Sequence, residues 1–548
     1  MFKFEWHDIE TPVLISLWMV FILAVKIVFH ASERLIVVFP DSALLIVAGF
    51  FVGTIMDQFL PHDIYLDPDL FFLYLLPPIA LEAGYFLPNR AFFRNIGTVN
   101  FDLCGDRNPL EHCINWCVYF RDALYSSILG MVLYTFGSIF GSFSHDIPLI
   151  DIMLFSTLIS AVDPVAVLSV FTEINVNELL YICVFGESLL NDAVTIVLYH
   201  TLTEMGVIGS EHLETKDFIR ASGSFVLVVL GGVMIGTLAA AITGLTTKFA
   251  NTLNVVQPLI CLLFPYLAYL LAEMAHYSGI LAIVVCGLLM KPYVSNNLSD
   301  ESRITVIYFL KTIASHSEAM IFIFLGLSTF SKNHIWDFVF TGITVAACLV
   351  NRFIGTYALS YLCNRHRLEK IGLVDQFIMA YGGLRGAICY GLAMTLDKNR
   401  VPAKDMFVST TVVVICVTVF IQGTTIKPLV KFLRVKTKEP HKNKTVTDIF
   451  ISNARDDMMA GIEAIAGIHG KYFWNRRLTE FNRDYVRPFL TTNKTVSRGD
   501  EIVEEYEALG HPHYFTFHSN TVQHEIEDEN QTMTGQENGY RDEAEHFL

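Results

Sequence analysis

The chain has 548 residues, of which 53% are hydrophobic and 17% charged, against about 25% charged in ordinary soluble proteins. A soluble protein so apolar could not cover its surface, and disorder is excluded for most of the chain. With 38 basic against 54 acidic residues the net charge is −16, which argues against a nucleic-acid partner, since that would need a basic face.

The apolar residues form runs of about 17–25, the length that crosses a bilayer. In chain order the clear runs are Pro12–His30, Leu70–Leu87, Leu149–Phe171, Leu179–Thr203, Phe225–Thr246, Val256–Ala275, Phe338–Leu362, Gln376–Leu396 and Met406–Val430. Shorter or more polar candidates are Ser42–Met56, Leu124–Gly141, Ile280–Met290 and Ile304–Phe330. The expected fold class is therefore an all-α polytopic membrane protein with about thirteen transmembrane helices. We divide it into a transmembrane domain, residues 1–430, and a polar tail, residues 431–548. Within the tail, 447–482 reads as helical and 500–548 as acidic and disordered. The basic collar Lys427, Lys431, Arg434, Lys436 and Lys438 predicts a cytoplasmic tail. An odd number of spans then puts the N-terminus outside. Sequons at Asn297, Asn443, Asn493 and Asn530 fall inside on this topology and are expected to carry no glycan. Cys104, Cys113 and Cys117, with His112, match no common zinc spacing.

A charge at bilayer depth costs at least about 2.5–3.5 kcal/mol unless it is paired or hydrated, so charges inside the runs are functional candidates. Asp163 sits in Ser160-Ala161-Val162-Asp163-Pro164. Pro164 lacks an amide hydrogen and interrupts the helical ladder, freeing carbonyls that can face a cation; the plain alternative is a kink. The next span carries Glu187, Ser188, Asn191 and Asp192. Ser188 and Asp192 share one face at i, i+4, so they can converge on one ion, while Glu187 points to another neighbour. A late span contains Tyr381-Gly382-Gly383-Leu384-Arg385-Gly386. Its glycines weaken a helix and permit close backbone approach, and Arg385 can satisfy the orphan carbonyls of a second broken helix. Glu318, Arg352 and Glu82 complete the set. The spans hold no Ser/His dyad or metal cluster, so the chain does not read as an enzyme, and no cofactor is expected.

These stretches, with Phe71 through Ile79, together resemble the eukaryotic sodium/proton exchangers, nearest the plasma-membrane branch, from about Trp18 to Phe481. The resemblance implies a homodimer at the plasma membrane and inverted repeats with two crossing broken helices, carrying Asp163-Pro164 and Gly382–Gly386. It makes Asp192 the carboxylate that binds the transported sodium ion or proton, with Asp163, Asn191 and Ser188 beside it. Glu187 and Arg352 would form a buried pair, and Glu318 and Arg385 are other retained charges. Glu82 stands where the family usually has Asp. The expected activity is electroneutral exchange of extracellular sodium for cytosolic proton, regulating cell pH, sodium content and volume; the alternatives are a transport-inactive pH sensor or a cation channel.

Two segments need separate comment. In the tail, Met458, Ile462, Ile465 and Ile468, with Met459 alongside, follow helical spacing and predict an amphipathic helix that suits an EF-hand groove. The segment after it resembles the one that follows the binding site for calcineurin B homologous protein, which makes that protein the expected partner. The other segment is Phe101–Ala123, FDLCGDRNPLEHCINWCVYFRDA. Its charges, proline and cysteines cannot span a bilayer. Family members have an apolar span with a Gly-Thr-x-Trp-Asn element there. One back-translation of this stretch, read from its second base, yields LIFAVIGTLWNTALIGVST. A frame or splice error is therefore the expected reading, against a genuine divergent loop, and which of the two holds bears on whether the chain as written is active.

Overall fold

A computed structural model describes residues 6–31, 39–59, 67–87, 125–137, 147–163, 165–174, 176–208, 215–250, 253–329, 334–366, 371–435, 446–466 and 471–491. The stretch Phe101–Ala123, Pro164, Ile468 and the acidic end 500–548 lie outside the described residues. The chain divides into two compact units: residues 1–438 with 459–494, and residues 439–458 with 495–548. Residues 459–494, read from sequence as tail, thus group with the membrane helices.

The described elements are helices. They are α1 (Trp6–His30), α2 (Asp41–Phe59), α3 (Pro68–Phe86), α4 (125–137), α5 (Leu149–Ser160), α6 (Val165–Ile174), α7 (Glu178–Ile208), α8 (Thr215–Phe249), α9 (Gln257–Met274), α10 (Gly279–Val294) and α11 (Asp300–Ser328). There follow α12 (Phe338–His366), α13 (Leu373–Tyr381), α14 (Ala387–Thr395), α15 (Lys404–Phe432), α16 (Val446–Ile465) and α17 (Lys471–Phe481), which runs through a wide turn at Asn482–Val486 into Arg487–Leu490. Among the described residues, six helices are long and apolar enough to cross a membrane, and several shorter apolar ones accompany them. The apolar runs Leu149–Phe171 and Gln376–Leu396, each expected to carry a broken helix, leave helical geometry at residues 161–163 and 382–386.

The outward faces are apolar. Leu259, Leu263, Leu267 and Leu271 of α9 are all exposed at i, i+4 spacing, as expected where lipid, not water, is the solvent. Polar groups turn inward instead: Thr243, Thr247, Thr410 and Thr411 are buried, and each returns its hydroxyl to a carbonyl of its own helix or lies within the packed interior. Without a hydrophobic drive between helices, close packing must hold them together. At Gly49 of α2 and Gly326 of α11 the two backbones approach so closely that a Cβ on either would strike the other helix.

Two helix groups emerge from the packing. One joins α2, α3, α8, α9, α10 and α11; the other joins α5, α7, α12, α13, α14 and α15. In α3, Pro77 cannot donate to the carbonyl of Leu73 four residues back. The helix widens over Phe71–Leu75, and Tyr266 of α9 donates to Leu73 O at 3.0 Å while Tyr269 donates to Phe72 O at 2.9 Å.

Candidate ion site

The two breaks meet. The backbone N–H of Asp163 donates to the carbonyl of Leu384 at 2.8 Å, so the extended stretch after α5 crosses the one before α14. Each break exposes helix ends: carbonyls at the C-terminal ends of α5 and α13, amides at the N-terminal ends of α6 and α14. The side chains around the crossing answer these ends by charge. Arg385, buried with 2% exposure, donates from Nη1 to Ser160 O at 2.5 Å and Ala161 O at 3.2 Å. Its Nη2 donates to the Tyr125 hydroxyl at 2.6 Å. Asp163 lies against the N-terminal end of α14, where a Cβ on Gly386 would collide with its carboxyl group.

Helix α7 supplies the next layer. Ser188 donates to Val162 O at 2.6 Å. Asn191 donates from Nδ2 to Ser160 O at 3.1 Å, and its Oδ1 accepts from Thr195 at 3.0 Å. Cys389 donates from Sγ to Ala161 O at 3.0 Å, and the amide of Arg385 donates to Thr418 Oγ1 at 3.2 Å. The two broken segments are therefore held by side chains from α7, α14 and α15 and by Arg385, rather than by their own ladders.

A cavity of about 110 Å³ opens beside the crossing. Asp163, Ser188 and Asp192 line it from one helix group, and Glu82 of α3 and Glu318 of α11 line it from the other. Its remaining wall is largely apolar, with Phe71, Leu76, Ile79, Leu168, Phe185 and Ile321. A smaller void of about 10 Å³ lies behind it, bounded by Asp163, Glu318, Arg385, Leu384, Ser42, Phe322 and Val419. Asp163 and Glu318 thus face both spaces.

The candidates named from sequence separate into three sets. Asp163, Ser188 and Asp192 share the cavity; Asn191 does not line it and braces the broken segment from behind. Glu187 and Arg352 form an ion pair that is largely buried, with Arg352 Nη2 also donating to Met379 O at 3.3 Å and its Nε within 2.7 Å of where a Cβ on Gly383 would stand. Gly382 packs on Val167. Glu318, read from sequence as a structural charge, lies in the cavity wall. Sequence reasoning also passed over Lys26, a lone lysine inside the first apolar run. Its Nζ donates to Ser315 Oγ at 2.6 Å and Ser315 O at 3.2 Å, one turn before Glu318. Tyr125 was invisible for another reason: it adjoins the unusual stretch before it, and only the fold puts its hydroxyl under Arg385. Met458, Met459, Ile462 and Ile465 are exposed on α16, at 67%, 36%, 57% and 90%.

Comparison with known proteins agrees with this geometry. The family model for the sodium/hydrogen exchanger transmembrane domain matches residues 19–432. The probable Na(+)/H(+) antiporter nhx-3 of Caenorhabditis elegans is 41% identical over 93% of this chain and 74% of its own length. Human sodium/hydrogen exchanger 5 is 40% identical over 93% of this chain and 55% of its own. Among solved structures, the sodium proton antiporter MjNhaP1 of Methanocaldococcus jannaschii superimposes with a TM-score of 0.58 at 19% identity, covering 78% of this chain and all of that one. With its crossed broken helices and its multi-pass apolar shell, the chain belongs to the sodium/hydrogen exchanger family.

Proposed function

We propose that this protein exchanges one extracellular sodium ion for one cytosolic proton by alternating access, and so regulates cell pH, sodium content and volume. The observation that carries this reading is the convergence of Asp163, Ser188 and Asp192 on one cavity at the seam between two helix groups. Asp192 holds a proton or a sodium ion, not both. In either loaded form its charge is cancelled and the broken-helix group can cross the low-dielectric seam; empty, Asp192 carries a bare charge that opposes the crossing. Asp163 travels in the same group but faces a helix N-terminus and Arg385. Glu82 and Glu318 belong to the other group and do not travel. One uncompensated acid therefore moves per cycle, and the exchange is electroneutral.

The test is reconstitution into liposomes with a sodium gradient. An electroneutral cycle runs at the same rate whatever potential is imposed. A cycle carrying one charge is biased by about 2.3 kcal/mol per 100 mV, roughly 50-fold at equilibrium. Turnover that builds a membrane potential would overturn the one-to-one model, and absence of sodium-coupled proton flux would favour a silent pH sensor. A channel would rely on rings of like charge or carbonyls, whereas here the carbonyls of Ser160, Ala161 and Val162 are taken by Arg385, Asn191 and Ser188.

The same reading places a homodimer in the plasma membrane, N-terminus outside and tail inside. It assigns the exposed face of α16 to an EF-hand partner, calcineurin B homologous protein, since an apolar helix face outside lipid needs cover. Charged substitutions at both Ile462 and Ile465 are expected to reduce co-purification of that partner at least tenfold, about 1.4 kcal/mol or more. Undiminished recovery would refute the assignment.

A further inference from the structure

Helix α1 lies along α11, with the Trp18 ring 5.1 Å from that of Phe324. One face of α1, with Leu23 and Ile27, is exposed, while Ile22 is fully buried. Lys26 stands one turn after Ile22 on the inward side. It is half-buried, and its Nζ donates to Ser315 Oγ at 2.6 Å and Ser315 O at 3.2 Å. Ser315 precedes Glu318 by one turn of α11, and Glu318 lines the cavity. A second lysine stands by the other acid of the same wall: Lys311 Nζ lies over the Phe86 ring at 4.9 Å, one turn beyond Glu82. Lys26 is within electrostatic reach of Glu318, and Lys311 of Glu82. The other charged groups that face Glu318 are Asp163, Asp192 and Glu82 over the cavity, Asp41 at the start of α2, and Arg385 across the smaller void. A neutral hydroxyl would suffice to anchor α1 on α11. A lysine inside an apolar run is costly, so its charge needs a use.

We propose that Lys26 is a positioning residue for ion transfer: it offsets the charge of Glu318, so that the stationary wall does not capture the cation that Asp192 must carry. Asp163 and Asp192 face Glu82 and Glu318 across one cavity of about 110 Å³. A cation held by both walls ties the two helix groups together, and it must leave the stationary wall before Asp192 can cross. Lys26 beside Glu318, helped by Lys311 beside Glu82, weakens the pull of that wall, while Asp192 in the other group keeps its own. Helix α1 packs on α2 and α11, so Lys26 stays with the wall it neutralises. The consequence for turnover rests on the exchange function above; the consequence for ion binding does not.

Lys26→Met in the full chain tests this. Methionine is of similar length and apolar, which suits this helix, so the protein should fold. Sodium-dependent protection of the purified protein against heat reads binding without transport, because a ligand that binds only the folded state stabilises it. The sodium concentration giving half of the maximal protection is expected to fall about fivefold in Lys26→Met, since charges within a protein interact at an effective dielectric constant of about 20. In liposomes the KM for sodium should fall with it, and kcat should also fall, because tighter binding of the ground state is not shared by the crossing. Lys26→Arg, which restores the charge, should return both to parent values. Ser315→Ala, which spares the charge, should leave both unchanged. Sodium binding unchanged or weakened in Lys26→Met would reduce Lys26 to an anchor of α1 and overturn the proposal. The same shift in Ser315→Ala would give the effect to the hydrogen bond and overturn it too, as would tighter binding with kcat unchanged. Fivefold tighter binding in Lys26→Met, with a parent chain that carries no sodium-coupled flux, would uphold the charge offset and sink the exchange reading instead.

Discussion

Asp192→Asn is expected to abolish sodium-dependent recovery of cytosolic pH after an acid load, with a loss of at least about 100-fold, or about 2.7 kcal/mol at 1.36 kcal/mol per tenfold. Asparagine matches aspartate in volume, and Asp192 is only partly buried at the cavity wall, so the fold should tolerate the change. What disappears is the one group that can alternate between a proton and a sodium ion. A neutral amide binds neither with its charge cancelled, and it removes the penalty that blocks the empty carrier. The variant should therefore reach the membrane at parent levels, bind sodium weakly and show no coupled flux. Undiminished sodium-coupled proton flux would transfer the role to another carboxylate of the cavity, Asp163 or Glu318.

Arg352→Ala is expected to fail differently, by loss of folded protein. Arg352 is buried and pairs with Glu187. Removing one partner of a buried pair strands the other charge and costs about 3–5 kcal/mol, a large part of the about 5–15 kcal/mol that holds a typical protein folded. Surface expression should fall several-fold. Removing both charges, as in Glu187→Gln/Arg352→Met, should restore much of it, because no bare charge remains. Normal levels of Arg352→Ala with an altered sodium affinity would instead make the pair part of the ion site.

The contrast between these two variants bears on what can be read without a structure. Glu187 and Asp192 lie five residues apart on one helix, and i, i+4 geometry is enough to say that they face different neighbours. It is not enough to say which. That Glu187 meets Arg352 was available only through resemblance to other chains, and the coordinates place them together. Asn191 shows the limit from the other side. The resemblance set it beside Asp192, and only the structure shows its amide bonded to Ser160 and Thr195. That Glu318, a charge retained by resemblance, lines the cavity wall is likewise visible only in the structure.

Sequence by itself determined the solvent and the helical class, and marked the two places where a helix would break or kink. Each of these follows from a cost local to the chain: an apolar run has few places but lipid, a proline or a set of glycines interrupts its own ladder, and a charge in such a run needs a reason wherever it ends up. Tertiary structure alone decided the partners. Arg385 under Tyr125, Lys26 on Ser315, Tyr266 covering the carbonyl left by Pro77, and Asn297 holding Leu490 all join residues far apart in the chain. Which distant donor answers a freed carbonyl depends on which helix lies across the seam, and no spacing along the chain encodes that.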